Sequence, residues 1–216
     1  MTKVSERLNR LAESATLAMA RMSRELKAQG KDVIALSLGE PDFDTPEFIK
    51  EAAKQAITDN YSHYTPVPGL VELREAIVGK FKRDNNLDFT TDQIVTSTGA
   101  KQSLANLALS LLNNGDEVLL PCPYWVSYSE IIKLAEGVPV EIPSTIDSNF
   151  KITPQQLEES ITEKTKMLIF SSPCNPSGTV YTKKELVDFG EILVKYPNII
   201  IVADEIYEHI NFTEKH

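Results

Sequence analysis

From residue 94 onward, short apolar runs alternate with helical stretches, and this alternation restricts the chain more than any other feature. Runs at 94–97, 117–120, 138–142, 167–171 and 199–203 read as strands. Between them, 101–112, 127–135, 153–161 and 182–195 carry helical spacing or helix-start signals. Strands joined through helices pair in parallel by right-handed crossovers, with helices covering both faces. The expected fold is therefore α/β, a three-layer arrangement around a mostly parallel sheet. The last run, Ile199-Ile-Ile-Val-Ala203, holds no charge, as a strand buried on both faces would.

The region before residue 94 reads differently. Residues 5–29 form an amphipathic helix interrupted near Glu13-Ser-Ala-Thr16 and stopped by Gly30. Residues 32–38 read as a strand and 39–44 as a loop. Thr45-Pro46-Glu47 is a helix start, with Thr45 as N-cap and Pro46 at the first helical position. Residues 61–69 are a loop, and 71–82 form a helix. Helix 101–112 is apolar nearly all round and is expected to be buried. Two capping boxes are written locally, Thr153-Pro-Gln-Gln156 and Thr182-Lys-Lys-Glu185.

Composition narrows the function. A net charge of −9 with no block of basic residues argues against nucleic acid. No apolar run approaches the roughly 18 residues of a membrane span, and residues 1–7 lack a secretory apolar core. The cytoplasm is the expected compartment. Cys122 and Cys174 belong to no Cys-x-x-Cys pair and read as small buried thiols. His63, His209 and His216 share no metal-like spacing.

Open parallel sheets bind ligands beyond the carboxyl ends of their strands. Residues 94–97 are followed by Thr98-Gly99-Ala100-Lys101, a small-residue helix start suited to an anion, though also to ordinary strand-to-helix packing. It matches neither the dinucleotide fingerprint nor a P-loop, which counts against dehydrogenase and nucleotide-hydrolase readings. After 117–120 comes Pro121-Cys-Pro-Tyr-Trp125. Its lone tryptophan can offer a flat face to an aromatic ligand or simply anchor the loop. After 167–171 comes Ser172-Pro-Cys-Asn175-Pro-Ser-Gly178, where Asn175 before proline is held extended and can serve a ligand or a turn. Asp204 and Tyr207 follow the last strand. If the chain turns helical there, the two side chains point the same way. Asp204 can equally cap that helix. Taken together, an anion cradle, a flat aromatic, an amide, a carboxylate and a phenol match the needs of pyridoxal 5'-phosphate (PLP). Its ring nitrogen requires a carboxylate to stay protonated.

These residues, with Gly39-Glu-Pro-Asp-Phe-Asp-Thr-Pro46 and Tyr64 ahead of Pro68-Gly69, occur in an order that resembles the class I aminotransferases of PLP fold type I. The bacterial aspartate aminotransferase branch is the nearest likeness. The resemblance implies PLP as cofactor, with Asp204 on the ring nitrogen and Tyr207 and Asn175 on its phenolic oxygen. Trp125 would stack on the ring, and Gly99, Ala100 and Lys101 would hold the phosphate. Tyr64 would reach the partner's phosphate across a homodimer. Gly39, Trp125 and Asn175 would surround the substrate α-carboxylate. Lys101, Ser14 and Thr16 would meet the distal carboxylate of aspartate or glutamate. A 2-oxo acid would be the second substrate.

The resemblance also implies a Schiff-base lysine and a carboxylate-binding arginine, and both would lie beyond residue 216. No catalytic residue is therefore assigned within 1–216. By the same likeness, 1–44 form an N-terminal arm and part of a small domain, and 45–216 an incomplete cofactor-binding large domain. Two alternatives stand beside the aminotransferase. One is an inactive fragment or binding module. The other is a fold-related PLP lyase or an aminotransferase with another substrate.

Overall fold

The computed structural model describes residues 3–36, 38, 39, 41, 43–210 and 212. The chain forms two compact units, one of residues 1–14 and 104–216 and the other of residues 15–103.

The first unit is built on four parallel strands: β1 (Glu117–Pro121), β2 (Val138–Ile142), β3 (Thr165–Ser171) and β4 (Ile200–Asp204), in the order β2-β1-β3-β4. Successive side chains on a strand point to opposite faces, and the core divides accordingly. Val118, Leu120, Met167 and Ile169 pack with Leu104, Ala108 and Leu112, and with Tyr128, Ile132 and Ala135. Leu119 and Leu168 pack the other way, with Leu157, Phe189 and Leu193. Helices α5 (Ala100–Leu111) and α6 (Ser127–Leu134) thus supply one covering layer. Helices α7 (Pro154–Ser160) and α8 (Lys183–Leu193) supply the other. This is the three-layer α/β arrangement expected from the alternation. Both α7 and α8 start with the reciprocal capping boxes written in the sequence, Thr153 with Gln156 and Thr182 with Glu185.

Strand order reverses between β1 and β3. From β1 the chain passes through α6 to β2 on one side. From β3 it passes through α8 to β4 on the other, with α6 and α8 on opposite faces. The carboxyl ends of β1 and β3 therefore flank the switch point at which such sheets hold ligands.

Several expectations change. β4 pairs only with β3 among the described residues and is not buried on both faces, since the alternate residues Ile201 and Ala203 lie open. Ile201 is half exposed. Helix α5 buries a single stripe, Leu104 and Ala108 continued by Leu112, while Leu107 and Leu109 remain exposed. An apolar composition all round does not bury a helix that has a neighbour along one side only.

The second unit holds α2 (Ala15–Ala28), α3 (Glu47–Thr58) and α4 (Val71–Asn85). The interruption near residues 13–16 is real, since α1 (Glu6–Asn9) ends before it and α2 begins at Ala15. The expected strands at 32–38 and 94–97 are absent among the described residues, where Ser37 is not included. Their apolar alternation meets no paired strand: Ile34 and Leu36 are exposed, and Thr96 bonds to a loop instead. Helix α3 takes Pro46 as its cap residue, without the Thr45 cap that was expected. Proline has no N–H to lose there, so either position is tolerated. No described helix is long and apolar enough to cross a membrane.

Candidate cofactor site at the strand ends

The first unit gathers its candidate side chains beyond β1, β3 and β4. Asp204 is the last residue of β4 and half-buried. Its Oδ2 accepts a 2.6 Å hydrogen bond from the Tyr128 hydroxyl on α6, leaving Oδ1 outside that bond. Tyr128 is only 2% exposed, and its ring meets Trp125 edge-on with centroids 5.6 Å apart. Burial, then the bond to Asp204, pushes the Tyr128 phenol far above its ordinary range, so it stays a donor. Sequence reasoning missed Tyr128. The usable signal was its place three residues after Trp125, on the inner face of α6 with Ile132.

Two loops meet at the switch point. The Cys174 thiol contacts the Pro123 carbonyl oxygen at 3.2 Å, joining the turn after β3 to the turn after β1. The β3 turn is also tied within itself. Cys174 N–H donates to the Thr179 carbonyl, Gly178 N–H to the Cys174 carbonyl, and Tyr181 N–H to the Ser172 hydroxyl. Gly178 has φ +70°, a conformation that favours glycine. Asn175 sits half-buried at the centre of this turn, and the Asn175–Pro176 bond is cis. Both cysteines are half-buried free thiols, less enclosed than the sequence suggested. A small cavity behind the loops is lined by both of them, with Tyr124, Phe150, Phe170 and Tyr181 among its other walls. Asp204, Asn175 and Trp125 do not line it.

Tyr207 is half-buried, and the chain does not turn helical after Asp204 among the described residues. Its N–H donates to the Glu205 carboxylate, and its carbonyl accepts from Ile210 N–H. The Glu205 side chain competes for the amide that a helix start would use. Ser14 closes the N-terminal segment of this unit and is half-buried.

In the second unit, Gly99 has φ +83° and precedes the first turn of α5. The Thr98 N–H is taken by the Gln102 side chain, and the Gly99 carbonyl accepts from Gln102 N–H. Gly99, Ala100 and Lys101 are exposed. This is the glycine-led helix start read from the sequence. Gly39 is exposed, Thr16 half-buried at the start of α2, and Tyr64 fully exposed. Pro68-Gly69, close behind Tyr64, is held tightly. The Thr96 N–H and hydroxyl both donate to the Pro68 carbonyl, at 2.9 and 3.2 Å. A Cβ on Gly69 would lie 1.9 Å from Thr96 Oγ1. Glu40 and Asp42 of the loop motif lie outside the described residues.

The residues present fit PLP on one observation above all. A half-buried carboxylate at a strand end has one oxygen fixed by a buried phenol, with a tryptophan ring packed on that same phenol. Such a carboxylate suits a cationic ring nitrogen. The sheet and its covering helices are those of PLP transferase fold type I. Residues 31–216 match the model of the aminotransferase class I and II family, and the chain belongs to that family.

Two relatives show the likeness in sequence. A probable aspartate/prephenate aminotransferase of Rickettsia bellii is 51% identical over 212 residues, covering 98% of this chain and 53% of the relative. The aspartate/prephenate aminotransferase of Nitrosomonas europaea is 50% identical over 208 residues, covering 96% of this chain and 52% of its own. Among solved structures, the Rhizobium meliloti aspartate aminotransferase superposes with a TM-score of 0.95 at 40% identity, covering all of this chain and 54% of that one. The Thermus thermophilus aspartate aminotransferase with maleate gives 0.95 at 42% identity, covering all of this chain and 56% of that one. The chain spans about half the length of the curated relatives it matches.

Proposed function

We propose that the protein to which this chain belongs is a cytoplasmic, homodimeric, PLP-dependent aminotransferase. It moves an amino group between aspartate or glutamate and a 2-oxo acid. The names of the relatives add prephenate as a 2-oxo acid to test. The observation that carries the reading is Asp204 at the tip of β4, held by Tyr128 in a chain of this family.

PLP, when bound, supplies an electron sink for the pair left as the substrate α-proton departs. The chain's own residues bind and orient. Asp204 holds the proton on the ring nitrogen. Asn175 and Tyr207 donate to the phenolic oxygen, and Trp125 covers a ring face. Backbone amides of Gly99, Ala100 and Lys101, at the positive end of α5, take the phosphate. Tyr64, fully exposed, serves the partner's phosphate. Gly39, Trp125 and Asn175 receive the substrate α-carboxylate. Lys101, Ser14 and Thr16 receive its distal carboxylate, where a cation offsets desolvation. Residues 1–44 act as arm and small-domain segment, and 45–216 as part of the cofactor-binding domain.

The test uses the protein expressed from its complete gene. With PLP, aspartate and 2-oxoglutarate, oxaloacetate and glutamate should form in equal amounts. Keto-acid release without an amino acceptor would point to a lyase, and absence of amino transfer from any acidic amino acid would overturn the proposal.

A further inference from the structure

A phenylalanine at position 128 would fill the same space between the sheet and Trp125 without bringing a polar group into the core. Tyrosine brings a hydroxyl that must find a partner once buried. It finds Asp204, 76 residues away, at 2.6 Å. The phenol is 2% exposed, with Ser171 of β3 also facing it. Its backbone N–H donates to the Trp125 carbonyl at 2.9 Å, and its ring lies at 90° to the indole. One side chain therefore touches both the carboxylate assigned to the ring nitrogen and the aromatic assigned to the ring face.

From this geometry we infer that Tyr128 is a positioning residue for the cofactor: its buried phenol fixes one oxygen of Asp204 and directs the other toward the ring nitrogen of PLP. The inference rests on the aminotransferase reading above. A carboxylate with one oxygen pinned has fewer rotamers to lose on binding a cation. The phenol also draws charge from the carboxylate, which moderates its grip on the ring proton. Tyr128 itself touches no substrate.

The test uses the complete-gene protein and its Tyr128→Phe, Asp204→Asn and double variants. PLP affinity is measured by titration of the apoprotein, and the environment of the ring nitrogen by the 15N resonance of ring-labelled cofactor. Tyr128→Phe should weaken PLP binding about tenfold, a typical worth for a hydrogen bond to a charged group, and should displace the 15N resonance. The double variant should bind no more weakly than Asp204→Asn alone, because the phenol acts only through that carboxylate.

Fluorotyrosine incorporated at 128 keeps the ring and strengthens the donor. It should move the resonance in the opposite sense to phenylalanine, which preserves the test even where Tyr128→Phe fails to fold. An unchanged resonance in both substitutions, or a double variant with fully additive losses, overturns the role of Tyr128 while leaving the aminotransferase reading intact. Failure of the wild-type protein to bind PLP overturns both.

Discussion

Asp204 and Gly69 illustrate the two kinds of position that this chain marks out. Asp204→Asn keeps shape but removes the charge. With that substitution PLP affinity should fall by at least about tenfold and amino transfer by more, since a neutral amide cannot hold the ring proton. A titration of the apoprotein checks the first effect and the aspartate assay the second. Gly69 has φ +104°, and its missing side chain is the space that Thr96 fills. Gly69→Ala should cost about 2–4 kcal/mol, from positive φ together with overpacking, read as a lower denaturant midpoint. Asp204 was legible in the sequence because a charge directly after an uncharged run stands out. Gly69 was legible only as a loop glycine. Its demand comes from Thr96, 27 residues on, within a segment that reads as a strand.

The helix starts show what local sequence can specify. Both capping boxes form as written because every participant lies within four residues. Thr182→Ala should lower stability by about 1 kcal/mol, seen in thermal unfolding. Glu185 adds a pH signature. Burial alone would raise its pKa, but the Thr182 N–H and the Lys151 ammonium, 2.9 Å away, outweigh burial and hold it below the usual range. Its contribution is therefore present above the ordinary glutamate value and fades as pH falls through the lowered one. A Glu185→Gln variant should lose less thermal stability than wild type on acidification below about pH 4.5. Pairing, in contrast, was not legible. Runs 32–38 and 94–97 have strand composition, yet strands form only where a neighbour offers backbone groups, and such neighbours are distant in sequence. The same distance hid Tyr128, whose partner lies across the sheet.

Across the molecule, burial is uneven. Of the buried apolar residues described, only Ala20 and Ile94 fall within 15–103, where Phe43, Phe48, Ile57 and Val67 stand largely exposed. The 216-residue chain should therefore unfold non-uniformly in urea. Trp125 fluorescence reports the sheet unit alone, whereas far-UV circular dichroism reports both units. The dichroism transition should begin at lower urea, and coincident curves would refute this. The Tyr128–Asp204 bond has a temporal consequence as well. It closes a span of 76 residues and joins α6, in the covering layer it shares with α5, to the final strand. Until β4 docks, no nascent or refolding intermediate owns an oriented acid. On the proposed role of Asp204, vitamin capture belongs to the closing moments of assembly, and PLP supplied early in renaturation should leave the rate of sheet formation unaltered.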